Sequence, residues 1–132
     1  MKVSRILETC LYVDDLEAAK EFYTQVLGME VYSEMENRHV FFRCGSQMFL
    51  LFNPEETTIR RPGMVVPIHG AKGPGHVAFH VEQSEISGWR RVLRDREVEI
   101  ETEIDWPRGG HSIYFRDPAG NSIELATVST WK

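Results

Sequence analysis

The sequence predicts an α+β fold of two βαβββ modules whose strands form a cupped mixed sheet. Three observations carry this. Apolar residues alternate at strand spacing in several short runs and recur at helical spacing in two longer ones. The order of those runs is one strand, one helix and three strands, and it occurs twice. The two occurrences also overlay: residues 8–14 on 76–82, 41–43 on 114–116, and 48–52 on 122–126. A repeat of this kind is one supersecondary unit used twice.

The elements follow in order. Residues 6–13 read as a strand, and Asp14-Asp15 then offers a helix N-cap whose charge suits the helix dipole. Leu16, Ala19, Phe22, Tyr23, Val26 and Leu27 mark a helix that Gly28 ends. Strands are expected near 29–35, 38–44 and 47–53, with turns at Asn37-Arg38 and Gly45-Ser46. Residues 54–74 hold Pro54, Pro62, Pro67 and Pro74 among several glycines, and read as a linker or lid. A second strand-helix pair starts at residue 75, with Ser84 as the expected cap for a helix carrying Ile86, Trp89, Val92 and Leu93. Three more strands are expected near 98–105, 110–116 and 121–128, the last two joined by a tight turn at 117–121. The expected organisation is therefore one domain, 1–132, with modules at 1–53 and 75–132.

Bulk properties narrow the function. Twenty acidic against 15 basic residues give a net charge of −5, which argues against a nucleic-acid binder. No apolar run nears the roughly 20 residues of a membrane helix, and no signal-peptide core follows the N-terminus. A cytoplasmic protein is expected, with Cys10 and Cys44 as free thiols.

Strand parity points to a site. Side chains alternate between faces. In each module one face of the sheet must meet the helix, and Glu8, Cys10, Tyr12, His76, Ala78, His80, Ser122, Glu124 and Ala126 fall on the other. An imidazole and two carboxylates, His76, Glu8 and Glu124, thus share the face away from the helices. That N/O set suits a divalent metal such as Fe, Mn, Ni or Zn and leaves coordination positions open. Met48, Leu50 and Phe52 share the face of the first module, and with Tyr12 they suggest an apolar or aromatic substrate portion. His80 and Ser112 are candidate wall residues, and Arg108 is placed to meet an anionic group. His111 reads as a wall or surface residue, His39 as a turn residue overlying it, and His69 as a lid contact.

The sequence around Leu11-Tyr12-Val13-Asp14-Asp15, through Phe22-Tyr23 to Val26-Leu27-Gly28, resembles the first strand and helix of the vicinal oxygen chelate superfamily. Gly75-His76-Val77-Ala78-Phe79 resembles the start of that superfamily's second module, and residues 112–125, with Asp117-Pro118-Ala119-Gly120-Asn121 before Glu124, resemble its end. The superfamily includes glyoxalases, extradiol dioxygenases, fosfomycin-resistance enzymes and bleomycin-resistance proteins. The resemblance spans essentially the whole chain. It implies metal positions at Glu8, Leu50, His76 and Glu124, three of which carry ligand chemistry. Leu50 departs from the four-ligand glyoxalase I layout, because it neither ligates nor moves a proton. Glu8 departs from the His, His and Glu set of the three-ligand members. The resemblance implies a metal-dependent lyase, dioxygenase or thiol/epoxide transferase acting on a small molecule. The alternative it leaves is a bleomycin-resistance type protein that sequesters a drug without chemistry. It also implies a homodimer, with sites formed either within one chain or by Glu8 of one chain and His76 and Glu124 of the other.

Overall fold

A computed structural model describes residues 1–132. The chain divides into two compact units, Met1–Gly73 and Pro74–Lys132. The first contains β1 (Glu8–Tyr12), α1 (Leu16–Gln25), β2 (Glu30–Met35), β3 (His39–Cys44), β4 (Gln47–Phe52) and a one-turn α2 (Pro54–Thr57). The second contains β5 (His76–His80), α3 (Ile86–Asp95), β6 (Thr102–Asp105), β7 (His111–Arg116) and β8 (Ser122–Ala126). Each unit holds one mixed four-stranded sheet, ordered β1-β4-β3-β2 in the first and β5-β8-β7-β6 in the second.

The pairing register repeats as well as the order. β1 runs parallel to β4 with Glu8 opposite Met48, Cys10 opposite Leu50 and Tyr12 opposite Phe52. β5 runs parallel to β8 with His76 opposite Ser122, Ala78 opposite Glu124 and His80 opposite Ala126. Leu50 therefore holds in the first unit the place that Glu124 holds in the second. The register corrects one reading. His39 lies opposite Phe52, and Ser112 lies opposite Ala126. The counterpart of His39 is thus Ser112, not His111, and His39 is a buried strand residue rather than a turn residue.

In the first unit α1 starts where Asp15 accepts the Ala18 N–H at 3.0 Å. It ends at a left-handed Gly28 (φ 66), beyond which the Met29 N–H returns to the Tyr23 carbonyl at 3.0 Å. That bond closes the wide loop of a glycine-terminated helix. Tyr23 is fully buried, 5.0 Å from the Phe49 ring and 5.8 Å from the Phe42 ring, where it joins helix to sheet. The corresponding core of the second unit is Ile86, Leu93, Ile113, Phe115, Ile123 and Leu125. These inward positions alternate on their strands, as a half-buried sheet requires.

Other departures from the sequence reading are local. α3 is entered through a 3-10 turn, Gln83–Glu85, in which the Glu85 carboxylate accepts the Glu82 N–H at 2.8 Å. Ser84 is an exposed member of that turn and does not cap. β6 starts later than expected, because the chain beyond α3 turns through Glu97 at φ 58 and the Val98 N–H bonds back to the Leu93 carbonyl. β8 ends at Ala126 and passes into a 3-10 turn, Val128–Trp131. No helix is long and apolar enough to cross a membrane.

Candidate metal centre

The polar side chains gather in the second unit, around β8. Asp117 and Asn121 set them out. Asp117 Oδ1 accepts the Asn121 N–H at 2.8 Å and the Ala119 N–H at 3.0 Å, and its other oxygen accepts from Asn121 Nδ2 at 3.0 Å. Gly120 takes φ 87, a conformation that favours glycine. Asn121 Oδ1 then accepts the Gly75 N–H at 2.7 Å, which ties the start of β5 to the start of β8. His76 opens β5, and Glu124 is the third residue of β8.

Glu124 is buried, with 7% of its surface exposed, and both of its oxygens are directed. Oε1 accepts from Ser112 Oγ at 2.6 Å, within the short range of charge-assisted O–H···O bonds. Oε2 lies 3.2 Å from His76 Nε2. His76 Nδ1 lies 3.0 Å from the Ser122 carbonyl, which can only accept, so Nδ1 carries a hydrogen. Nε2 faces a carboxyl oxygen, an approach that needs a proton or a metal cation between the two atoms. Two donors bound at about 2.1 Å to one divalent ion stand about 3.0 Å apart at octahedral and about 3.4 Å apart at tetrahedral angles. The observed 3.2 Å falls between these. The backbone anchor on Nδ1 is also the usual support of a metal-bound imidazole. The pair therefore fits a divalent metal by tautomer, charge and spacing.

The other expected site residues divide by unit. Glu8 is exposed at the start of β1 in the first unit. No group of three or more His, Cys, Asp or Glu side chains gathers into a metal-holding cluster. Leu50 and Phe52 are buried and Met48 is half-buried. Phe52 is the centre of an aromatic cluster, with ring centroids 4.7 Å from His69, 5.3 Å from Phe41 and 6.0 Å from His39. Tyr12 joins it through a 2.7 Å hydrogen bond between its hydroxyl and His69 Nδ1. In the second unit Ser112 is fully buried, while His80 is exposed, 3.6 Å from Glu82. Arg108 is exposed on the turn before β7.

Sequence reasoning missed two residues here. Tyr114 lies opposite Glu124 on β7, and its ring is stacked with His76 at 6.3 Å. Burial raises its pKa first, and the hydrogen bond to Glu124 and that carboxylate's charge raise it further. The phenol stays protonated and can donate. Parity along β7, which places Tyr114 on the face of Ser112, was signal enough to find it. Trp106 is the other: its indole donates to Ser112 Oγ at 2.8 Å from a loop where parity says nothing.

His111 is buried, not a surface residue. Nε2 meets Glu103 at 2.7 Å and Nδ1 meets Asp105 at 2.8 Å, and Arg90 bonds Glu103 at 2.9 Å. Burial lowers the imidazole pKa, but the hydrogen bonds and charges of the two carboxylates outweigh it and leave it raised.

Comparison with known proteins agrees with this architecture. Residues 5–125 match the sequence model of the Glyoxalase/Bleomycin resistance protein/Dioxygenase superfamily. The crystal structure of a lactoylglutathione lyase from Agrobacterium tumefaciens superposes with a TM-score of 0.95 and 41% identity, covering 99% of this chain and 98% of that one. A metallothiol transferase FosB from Bacillus licheniformis is 30% identical over 98% of this chain and 79% of its own length. A lactoylglutathione lyase from Salmonella typhimurium is 31% identical over 92% and 90% of the two chains. A repeated βαβββ unit with one register, matched along nearly its whole length, makes this chain a member of the glyoxalase/bleomycin resistance/dioxygenase superfamily.

Proposed function

We propose that the protein is a divalent-metal-dependent enzyme that binds a small molecule through two neighbouring oxygens. One observation carries the reading: His76, anchored through Nδ1 on the Ser122 carbonyl, sets Nε2 3.2 Å from a carboxyl oxygen of Glu124. His76 and Glu124 are the ligands the second unit supplies, and Glu8 is the proposed third. A homodimer in which Glu8 of one copy completes the pair of the other is the proposed assembly. When bound, the metal supplies Lewis acidity toward a substrate oxygen.

The chain's own residues do the rest. Ser112 holds one oxygen of Glu124 while the other faces His76, where the cation would sit. Tyr114, whose phenol stays protonated, hydrogen-bonds Glu124 and steadies its carboxyl group. Leu50 stands at the position paired by symmetry with Glu124 and can neither take nor give a proton. That favours a reaction needing no base there, such as addition of a thiol to an epoxide. In that reaction the thiolate sulfur bonds to a ring carbon, the C–O bond breaks, and the alkoxide takes up a proton. The relatives named as metallothiol transferases support the same class.

Elemental analysis of untagged protein, beside Glu124→Ala, tests the metal. About one equivalent in the parent and none in the variant is expected. A thiol-plus-epoxide screen with Mn(II), Fe(II), Ni(II) and Zn(II) then tests the reaction. If the parent takes up no metal from any of the four, the protein is a ligand-sequestering member instead.

A further inference from the structure

We infer that Trp106 and Ser112 form a one-way relay that orients Glu124 for its metal; this rests on the metal reading above. An indole N–H can only donate, so Ser112 Oγ is the acceptor at 2.8 Å. A hydroxyl has a single hydrogen, and with its oxygen engaged by Trp106 that hydrogen points to Glu124 Oε1 at 2.6 Å. Both bonds run one way: Trp106 to Ser112, Ser112 to Glu124. Glu124 is thereby held by one oxygen, with Oε2 left facing His76 Nε2.

Trp106 is itself built into place. It starts a tight turn in which its N–H bonds the Gly110 carbonyl at 3.1 Å and its carbonyl accepts the Gly109 N–H at 2.9 Å. Gly109 and Gly110 have φ of 97 and 96. A Cβ on Gly110 would meet the Thr130 backbone nitrogen at 2.5 Å, so the turn sits hard against the C-terminal segment. Below the turn, Asp105 and His111 face each other in register and are joined by their 2.8 Å ion pair. Ser112, fully buried, is the next residue after that clamp. The clamp and the turn both hold an indole against a serine, and both residues act on Glu124 through the serine hydroxyl. They are positioning residues.

The test is metal affinity, measured by titrating metal-free protein with Co(II), with the visible Co(II) spectrum as a second readout. The parent, Trp106→Phe, Ser112→Ala, the double variant and Glu124→Ala are compared. Residues that orient a metal ligand change affinity about 10–100-fold. Ser112→Ala is expected to weaken Co(II) in that range and shift the spectrum, with Trp106→Phe doing the same to a lesser degree. The double variant is expected to match Ser112→Ala alone, because Trp106 acts only through the serine. Trp106→Phe keeps the ring, so it tests the relay even if Ser112→Ala does not fold. If Glu124→Ala binds Co(II) like the parent, the metal reading fails. If Glu124→Ala loses Co(II) while Trp106→Phe and Ser112→Ala bind it within twofold of the parent and with its spectrum, the metal reading stands and the relay is overturned. Additive losses in the double variant would likewise overturn it.

Discussion

The two units share strand order and register, yet the faces they turn away from their helices have opposite character. In the first unit Tyr12, His39, Phe41, Leu50 and Phe52 occupy that face, and His69 packs against them. In the second the corresponding places hold His80, Ser112, Tyr114, Glu124 and Ala126. One backbone thus carries an apolar aromatic surface once and a polar surface, with the proposed ligands, once. The framework specifies where side chains meet, and the residue types decide whether the meeting place is a core or a site.

That contrast can be broken most sharply at its central pair. Glu124→Ala is expected to lose stoichiometric metal, a drop of about a thousandfold or more in affinity, or about 4 kcal/mol. Leu50→Ala is expected to leave the metal bound and to lower stability by about 2–4 kcal/mol, the usual cost of a cavity in place of a buried leucine. Metal titration and urea denaturation of the two variants check both halves. A loss of metal in Leu50→Ala would mean that the first unit contributes more at this position than packing.

Phe52→Ala tests the aromatic face. Its ring meets Tyr12, His39, Phe41 and His69, and Arg38 lies over it at 5.5 Å. A loss of about 3–4 kcal/mol is expected. Removing the side chain from Ala126, its counterpart, with Ala126→Gly is expected to cost about 1 kcal/mol. Equal losses from the two variants in urea would remove the asymmetry.

His111 sharpens the comparison through pH. Its folded pKa lies above the unfolded value of 6.5. Its stabilising contribution is therefore fully present below about pH 6.5 and is lost as pH rises through the folded value. His111→Gln is expected to cost about 1–2 kcal/mol at pH 6 and less at alkaline pH, because a charge-assisted bond is lost only where the parent has one. Denaturation midpoints across that interval check the sign, and a constant difference from acid to alkaline pH would refute it. His39, buried in the first unit, moves the other way: burial, then the Arg38 charge, lowers its pKa.

The smallest effect belongs to Tyr12→Phe, which keeps the ring and removes the bond to His69. About 1 kcal/mol of stability is expected to go, the net worth of one partly buried hydrogen bond. Hydrogen exchange in residues 66–70 would show whether that bond also holds the segment.

Much of this was readable in the residues. Alternation locates all eight strands to within a few positions, and parity puts His76 and Glu124 on one face. Register was harder. The sequence overlays His39 on His111, and only the ladder partners Phe52 and Ala126 show the one-residue error. Trp106 was out of reach, because a loop has no period. Its placement rests on two consecutive left-handed glycines, the second packed against Thr130.

The turn at residues 117–121 works as a counting device. Because sheet side chains alternate, adding or removing a single residue between β7 and β8 would exchange the faces of one strand relative to the other. Glu124 would be driven into the hydrophobic interior and Ile123 or Leu125 brought out in its place. The Asn121 bond to Gly75 registers the count against a second strand. A lineage carrying this module can vary the amino acids of the turn more freely than its length, and an insertion there would be inherited only if a second, compensating one restored the parity.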